Sequence, residues 1–257
     1  MSAPKNSRIF LALPGILFVI AWQLAVLGSS RREFLFGSPL AVGMVAVREL
    51  SRGNIFLDVG TTAVETILGL LLGSVAGTLL GLSVWINSRV AHIVKPYVVM
   101  LGSVPIFAVA PMMIIWFGTG LLSKIFMAAF STCLISFSQA YEGAMSANVE
   151  HLMLAKSFRA SSGQVLFKIV VPSAFAWVLA GFKLNVGFAL VGAFVGEFVS
   201  SNSGVGHYIL RASGLYDVPR VLFGILVLAC LALTVTGCIA WCERRWFPWV
   251  RSMAKGA

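Results

Sequence analysis

Three ionisable residues, Lys183, Glu65 and Glu197, lie within or near the ends of long apolar stretches of this sequence. An ionisable side chain inside a membrane span costs about 2.5–3.5 kcal/mol at the centre of a helix, so it marks a functional site by default. Lys183 follows Pro172 by 11 residues, which is about 16 Å along a helix and close to mid-membrane. If its helix begins earlier, Lys183 instead extends its amine to the aqueous boundary. For Glu65 and Glu197, the sequence allows either solvation at the membrane surface or contact with a ligand.

Other residue types that carry chemistry form no recognisable site. His92, His151 and His207 lie far apart and lack the spacing of metal ligands. Ser203 and His207 are four residues apart, but no acid at a supporting spacing orients them as nucleophile and base. No G-x-x-x-x-G-K-[ST] loop occurs, which excludes nucleotide hydrolysis by that route. The sequence therefore predicts no catalytic residue and no metal site.

The composition shows what kind of element must hold these residues. Of 257 residues, 59% are hydrophobic and 11% charged, whereas a soluble domain carries about 25% charged residues. Disorder is excluded by the hydrophobicity, and a disulfide-stapled secreted domain by the count of four cysteines. The net charge of +10 comes from basic residues at the ends of apolar runs, as membrane topology requires. It does not form the basic, aromatic-interleaved stripe of a nucleic-acid-binding surface.

Six apolar segments predict an all-α membrane protein with about six transmembrane helices, since a span needs about 20 residues. The first segment is longer than a signal-peptide core and lacks an A-x-A site, so we expect a retained span. We expect one domain over residues 1–257, with a first span at about 9–27 and a core of five spans at about 61–242. The segments are Ile9–Leu27, Val64–Ile86, Tyr97–Phe117, Leu121–Tyr141, Ala174–Phe198 and Val221–Trp241.

Lys and Arg between the spans predict the orientation. The side that holds both termini carries 11 basic residues and the opposite side 7, with Lys124 among the 7. Because cytoplasmic loops carry the excess of basic residues, both termini are expected in the cytoplasm. A short amphipathic helix is expected at the outer surface, with Ser38 as its N-cap and Pro39 as its first residue.

The longest inner segment, about 143–172, is too polar to span a membrane. It contains two helical stretches, Asn148–Phe158 and Gln164–Val171, separated by small and turn-forming residues. We expect these stretches to lie on the cytoplasmic face as a docking surface for a soluble partner.

Two patterns within the spans indicate how the helices pack. Glycines recur every four residues in the second span and favour close helix packing in lipid, with pore lining as the alternative; they are Gly69, Gly73, Gly77 and Gly81. The third span contains Pro105 and Pro111. Each removes a helical hydrogen bond, which gives either an ordinary kink or a broken helix that lines a cavity.

Three stretches, taken together, resemble one family. They are Val104-Pro105 … Ala110-Pro111 … Ile115-Trp116-Phe117-Gly118-Thr119-Gly120; then Ile169-Val170-Val171-Pro172 followed by Ala180-Gly181-Phe182-Lys183; and Glu197-Phe198 … Ser203-Gly204-Val205-Gly206-His207-Tyr208-Ile209. The chain resembles, from about Ile9 to Arg245, the membrane permease subunits of bacterial ABC importers of the nitrate/sulfonate/taurine/bicarbonate type.

The resemblance implies a type I ABC importer permease fold with a cytoplasmic coupling helix, in the bacterial inner membrane. It implies an ABC ATPase subunit, a second permease copy (identical or a related paralogue), an extracytoplasmic substrate-binding protein and membrane lipid as partners. ATP and Mg are then used by the partner ATPase, and this chain binds no cofactor. A self-sufficient secondary transporter is the alternative, although it often shows internal repeats, and none is evident.

The coupling helix departs from the family signature E-A-A-x3-G-x9-I-x-L-P. Counting back from Pro172 places Met153 on the Glu and Arg159 on the Gly. In place of the polar contact made by the signature's Glu, we expect docking by burial of apolar side chains or an ion pair between Arg159 and the partner. The departure also allows a pore formed by two different permeases. The resemblance assigns coupling to Glu150, Met153, Leu154, Ala155, Phe158, Arg159 and Ser161.

The residues expected along the translocation pathway are Ser103, Pro105, Phe107, Lys183, Asn185, Glu197 and Glu65. In the group, the position of Glu65 is often basic and many members carry anions. An acid there favours a neutral or cationic substrate, such as a pyrimidine-type vitamin precursor. The outer loops around Asp58 and Ser203–Arg220 are expected to meet the binding protein.

Overall fold

The computed structural model describes residues 7–246, with side chains from residue 13 onward, and this part of the chain is helical with no strand. The helices in chain order are α1 (Ser7–Val26), α2 (Ser30–Phe36), α3 (Pro39–Arg52), α4 (Asn54–Trp85), α5 (Ser88–Gly102), α6 (Ile106–Phe117), α7 (Leu121–Met145), α8 (Val149–Ser157), α9 (Ser162–Val165), α10 (Val171–Val199), α11 (Val205–Gly214) and α12 (Val218–Trp246). A π-helical turn, Leu166–Val170, joins α9 to α10.

Within residues 7–246, four long helical segments are apolar enough to cross a membrane, and there are up to six if each bent helix pair counts as one span. They are α4, α7, α12 and the continuous segment Ser162–Val199 that contains α10. The all-α fold with about six spans is thereby confirmed. The second span begins at Asn54, well before the predicted Val64. Its 32 residues extend about 48 Å, beyond the hydrocarbon core of about 30 Å.

The predicted third span is not one helix. Helices α5 and α6 are bent by 96° with respect to each other, and the break lies between Gly102 and Ile106. Pro105 precedes α6 and cannot donate a backbone hydrogen bond, whereas Pro111 lies inside α6 without ending it. The sharp break therefore occurs at Pro105 and not at Pro111.

The glycine face of α4 packs against α7. A Cβ atom added at any of its four glycines would overlap atoms of α7, such as the Thr132 side chain at Gly73 and the Phe137 carbonyl at Gly81. Glycine is therefore required there for close approach of the two backbones. The pattern faces a neighbouring helix of the same protomer and not a pore.

The surface formed by α3 and α11 carries more helix than the sequence predicts. Ser38 accepts a hydrogen bond from the Ala41 backbone N–H at 3.2 Å and Pro39 begins α3, as expected. The segment after Glu197, expected to be a glycine-rich loop, contains the helix α11. Its hydrophobic residues Val205 and Ile209 are buried, so apolar packing stabilises a helix where the glycines suggested a loop.

Candidate translocation and coupling site

Helix α8 presents apolar side chains away from the protein. Leu152 packs on Ala144 and Val170 and anchors the helix beneath α7 and α10. Met153, Leu154 and Phe158 are 63%, 56% and 78% exposed, respectively. These three residues are termed the coupling face. An exposed apolar cluster on a short helix is typical of a protein-binding surface.

Helix α8 ends in a Schellman motif. The Ala160 N–H donates to the Ala155 carbonyl and the Arg159 N–H donates to the Lys156 carbonyl, the hydrogen-bond pattern that defines this motif. Arg159 adopts a left-handed conformation with φ of 51°, where glycine is usual. Arg159 therefore stands where the family signature has glycine, at the position whose left-handed backbone favours glycine, and the turn still forms.

The remaining coupling residues fix the local geometry. Glu150 lies exposed in the first turn of α8, and its backbone N–H donates to Asn148 Oδ1 at 2.7 Å. Ser161 caps α9 in a capping box with Gln164. Because α9 continues through the π-helical turn into α10, the segment after α8 is joined directly to a membrane helix.

The break between α5 and α6 brings together three predicted pathway residues. Ser103, Pro105 and Phe107 are exposed on the protomer surface. Ser103 Oγ donates to the Val99 carbonyl at 2.9 Å, so this hydroxyl satisfies a backbone group of its own helix.

A cavity of about 250 Å³ lies beside this break. It is termed the break cavity, and its lining includes Leu101, Ile106, Phe130, Ser131, Phe188 and Val191. The lining described contains no charged side chain, and Ser131 supplies its only polar side-chain group. Ser131 Oγ donates to the Met127 carbonyl at 3.1 Å, which leaves its oxygen as an acceptor.

Asn185 connects three membrane helices inside the protomer and is fully buried. Its Nδ2 donates to Ser136 Oγ at 2.6 Å and to Ser74 Oγ at 3.3 Å. Its Oδ1 has no hydrogen-bond partner among the described residues. In this conformation Asn185 therefore holds α10 against α4 and α7 and does not face an open path.

Glu197 is also enclosed, with 0% of its surface exposed. Its carboxylate accepts hydrogen bonds of 2.6 Å from Thr62 Oγ1 and from the Gly206 backbone N–H. Thr62 Oγ1 in turn accepts from the Val205 N–H at 2.9 Å. The Glu197 side chain therefore connects α10 to α4 and to the beginning of α11. The predicted alternative, solvation of Glu197 at the membrane surface, is wrong.

Glu65 and Lys124 complete a buried polar cluster and are 1% and 3% exposed. The Glu65 carboxyl lies beside that of Glu197, and Lys124 lies near enough to attract both; Glu65 Oε2 has no hydrogen-bond partner among the described residues. Lys124 Nζ donates to the Thr119 carbonyl. The predicted solvation at the membrane surface is wrong for Glu65 as well, because its side chain is buried, and a role in substrate selection stays a prediction.

Lys183 forms an ion pair with Glu243 near the inner end of α12. The side chains are 35% and 12% exposed. Glu243 lies in the last turn of α12, three residues before its end at Trp246, so the pair lies near the end of that helix and not at its middle. The pair joins α10 to α12, and a pathway role for Lys183 stays a prediction.

A second cavity, of about 260 Å³, lies between α3, α4, α11 and α12. Arg220 pairs there with Glu49 at 3.5 Å and with Asp217 at 3.3 Å. Burial, and next the Glu49 carboxylate, raise the pKa of Tyr208 to about 12. Asp58 Oδ1 accepts from the Gly204 N–H at 2.8 Å, so an expected binding-protein contact also positions α11.

Sequence reasoning missed Lys124, Thr62 and Glu243. Lys124 was assigned to an outer aqueous segment, but it lies buried in the first turn of α7. Glu243 stands directly before Arg244 and Arg245 near the end of a span. A signal was available, since Lys183 is the only ionisable residue between Pro172 and Glu197 and needs an opposite charge on a neighbouring helix.

The described part of the chain is thus a bundle of apolar helices with a broken span and one short helix that exposes apolar side chains. The family model for the binding-protein-dependent transport system inner membrane component matches residues 69–248, and the chain belongs to this family. The chain is thus a permease subunit of an ABC importer, and not a self-sufficient secondary transporter.

Named relatives agree with this assignment. The chain is 28% identical over 236 residues to the formylaminopyrimidine transport permease protein ThiX of Halalkalibacterium halodurans, covering 91% of this chain and 93% of ThiX. It is 29% identical over 185 residues to the taurine transport system permease protein TauC of Escherichia coli K12, covering 71% and 66%. The expected resemblance to the sulfonate and taurine group is confirmed.

The fold also matches a solved transporter. The chain superposes on the inward-facing MetNI methionine ABC transporter with a TM-score of 0.59 at 16% identity. The match covers 79% of this chain and 95% of the solved chain. At this identity the likeness establishes the fold alone.

Proposed function

We propose that this permease pairs with a second permease, identical or paralogous, and that the pair forms the path of a small organic or inorganic solute across the inner membrane. The exposed break between α5 and α6 supports this role, because non-helical backbone at membrane depth must be buried in protein or line a cavity. Ser103, Pro105 and Phe107 then lie along the path. Both termini lie in the cytoplasm.

The coupling face is the proposed docking site of the ATPase, and its exposure is the observation that carries the proposal. Met153 stands where the family signature has a carboxylate, so docking occurs through burial of Met153, Leu154 and Phe158. Burying large apolar side chains contributes about 1.5–3 kcal/mol each. ATP and Mg bind to that partner and not to this chain.

The outer side is the proposed contact for a substrate-binding protein. Helix α11 and the side chains of Asp58 and Arg220 form this surface, and Glu197 fixes its position. When ATP closes the ATPase dimer, α8 moves with it. The connection through α9 and the π-helical turn passes this movement to α10, which rocks the path between inward-open and outward-open states.

The test is co-purification from native membranes in mild detergent. We expect the tagged wild-type chain to recover a P-loop ATPase, and the double variant Leu154→Asp/Phe158→Asp to lose it, because two carboxylates replace the apolar contact. Leu215→Asp, at an equally exposed apolar residue beside α11 on the outer side, is the matched control and retains the ATPase. Equal recovery with the double variant would refute docking through the coupling face.

A further inference from the structure

We propose that the buried carboxyls of Glu65 and Glu197, termed the acid pair, bind one proton between them at neutral pH and that Glu65 carries it. The proton site does not depend on the proposed function, because the acid pair lies inside one protomer. Three observations carry it: the balance of charge around the pair, the hydrogen bonds of the two carboxyls, and a buried oxygen that has no partner.

The surroundings of the acid pair contain two acids and one cation. Glu65, Glu197 and Lys124 are 1%, 0% and 3% exposed, and they lie on α4, α10 and α7. Lys124 lies near enough to attract both carboxyls. If all three groups were ionised, one negative charge would be buried without a counter-charge, at a cost of several kcal/mol. Two carboxyls that share a site in this way retain one proton, because both cannot ionise together.

The neighbouring charged groups do not remove the excess of negative charge. Asp58 on α4 acts on Glu197 and is itself an acid. Helix α11 carries His207 and Arg211, which line the second cavity together with Asp58. Arg220 at the beginning of α12 is paired with two other acids. Lys124 is therefore the cation that serves the acid pair within residues 13–246.

The hydrogen bonds place the proton on Glu65. Glu197 accepts from Thr62 Oγ1 and from the Gly206 N–H, both at 2.6 Å, and such short bonds are typical of an ionised acceptor. Glu65 Oε2 has no hydrogen-bond partner among the described residues. An ionised oxygen at that position is buried without a donor, which is costly. A protonated carboxyl can instead donate to the neighbouring Glu197 carboxylate.

A metal cation fits the acid pair less well than a proton does. Both oxygens of Glu197 already accept hydrogen bonds, and the Lys124 ammonium occupies the same surroundings. The oxygens left over are those of Glu65 and the unpartnered Thr66 Oγ1. Calcium takes about six to eight oxygen ligands and magnesium requires an octahedral set, whereas a proton needs one acceptor beside its own carboxyl.

The proton links pH to the position of α11. Glu197 holds the Gly206 N–H, and Thr62 holds the Val205 N–H at the beginning of the same helix. Loss of the proton places two carboxylates side by side, and their repulsion separates α4 from α10 and releases the beginning of α11. If α11 meets a binding protein, as proposed above, that contact weakens at alkaline pH.

Infrared difference spectroscopy of the purified whole chain in an uncharged detergent detects the proton. A protonated carboxyl has a C=O stretching band that is separate from the carboxylate bands and shifts in D₂O. We expect this band in the wild type at neutral pH and its loss in Glu65→Gln. The matched control Glu142→Gln, which removes an exposed acid paired with Lys95, retains it. A wild type without the band, or a band that survives Glu65→Gln, would overturn the proposal.

Two further measurements apply if Glu65→Gln gives too little folded protein. Raising the pH of the wild type is expected to abolish the carboxyl band without any substitution. Lys124→Gln removes the cation, so both acids then need a proton and the band is expected to become about twice as strong. A band that Lys124→Gln leaves unchanged contradicts the balance of two acids and one cation.

Thermal unfolding shows which carboxyl carries the proton. Glu65→Gln keeps a neutral group that donates to Glu197, so we expect it to melt at least as high as the wild type. Glu197→Gln turns an amide donor toward Thr62 or the Gly206 N–H and is expected to melt several degrees lower. The opposite order of the two variants would assign the proton to Glu197 and refute the placement on Glu65.

The pH dependence of unfolding gives an independent check. The folded wild type holds a proton that the unfolded chain releases, so its folding constant falls by about tenfold for each pH unit between about pH 6 and about pH 9. Glu65→Gln lacks this contribution, and its melting temperature is expected to rise relative to that of the wild type over the same range. Parallel curves for the two proteins would show that the fold takes up no proton at the acid pair.

Discussion

The Glu197 carboxylate accepts a hydrogen bond of 2.6 Å from the Gly206 backbone N–H and so fixes the beginning of α11 to the outer end of α10. The inner end of α10 continues from the π-helical turn that follows α8 and α9. One membrane helix thus connects the outer surface with the coupling segment. Since Glu197 is also bonded to Thr62 on α4, this contact holds three helices in register.

Replacing Glu197 by Ala is expected to destabilise the protein strongly. The change leaves the Gly206 N–H buried without its acceptor and the Thr62 hydroxyl with only the Asp58 carbonyl, and an unsatisfied buried group costs about 1–3 kcal/mol. Thermal unfolding in detergent, followed by intrinsic fluorescence, measures the loss. The control Glu142→Ala removes an exposed ion pair with Lys95, which is worth about 0–1 kcal/mol. Similar melting temperatures for the two variants would contradict the structural role of Glu197.

A larger side chain at Gly73 is expected to prevent α4 from packing against α7. Gly73→Val forces the side chain into Thr132 and the Ala129 backbone, whereas Gly60→Val on the same helix meets open space. Fluorescence-detected size-exclusion chromatography distinguishes them. We expect aggregated or absent protein for Gly73→Val and a wild-type profile for Gly60→Val. A monodisperse Gly73→Val protein would refute the packing account.

Replacing Arg159 by Gly is expected to stabilise the end of α8. A residue other than glycine in the left-handed region costs about 1–2 kcal/mol, and glycine removes this strain. Hydrogen exchange at the Ala160 amide, which bonds to the Ala155 carbonyl, is expected to slow about tenfold. Lys156→Gly, inside α8, should instead accelerate it, because glycine lowers helix stability by about 0.5–1 kcal/mol. Faster exchange in both variants would show that the turn is not strained.

The Lys183–Glu243 pair predicts recovery by charge exchange. Lys183→Glu alone places two acids together in a partly buried site, and breaking a buried pair costs about 3–5 kcal/mol. The double variant Lys183→Glu/Glu243→Lys restores opposite charges. Yield of folded protein in the membrane is expected to fall in the single variant and to recover in the double variant. Equal yields throughout would show that the pair does not join α10 to α12.

Periodic and compositional features of this fold were predictable, and contacts between distant residues were not. The glycine repeat beginning at Gly69 and the cap at Ser38 are local sequence patterns. The structure has a helix at each of them, α4 and α3. The meeting of Glu65 with Glu197 depends on how α4 and α10 cross. Spacing within one helix contains no information about that crossing.

The sequence left the form of the bend at Pro105 open between a kink and a break, and it predicted a loop in place of α11, for a related reason. Proline allows either a kink or a break, and the packing of α6 on α7 decides between them. The glycines at 204 and 206 suggested a loop, but both serve close approach to the Glu197 carboxylate. In each case tertiary contacts override the local signal.

Photo-crosslinking from the coupling face tests the central claim most directly. A benzoyl-phenylalanine residue placed at Leu154 is irradiated in native membranes, and the adduct is identified by mass spectrometry. The account predicts an adduct with a P-loop ATPase, and none when the same residue is placed at Leu215 on the outer side. Adducts from Leu154 that contain only lipid or this chain would contradict the claim that α8 couples the permease to an ATPase.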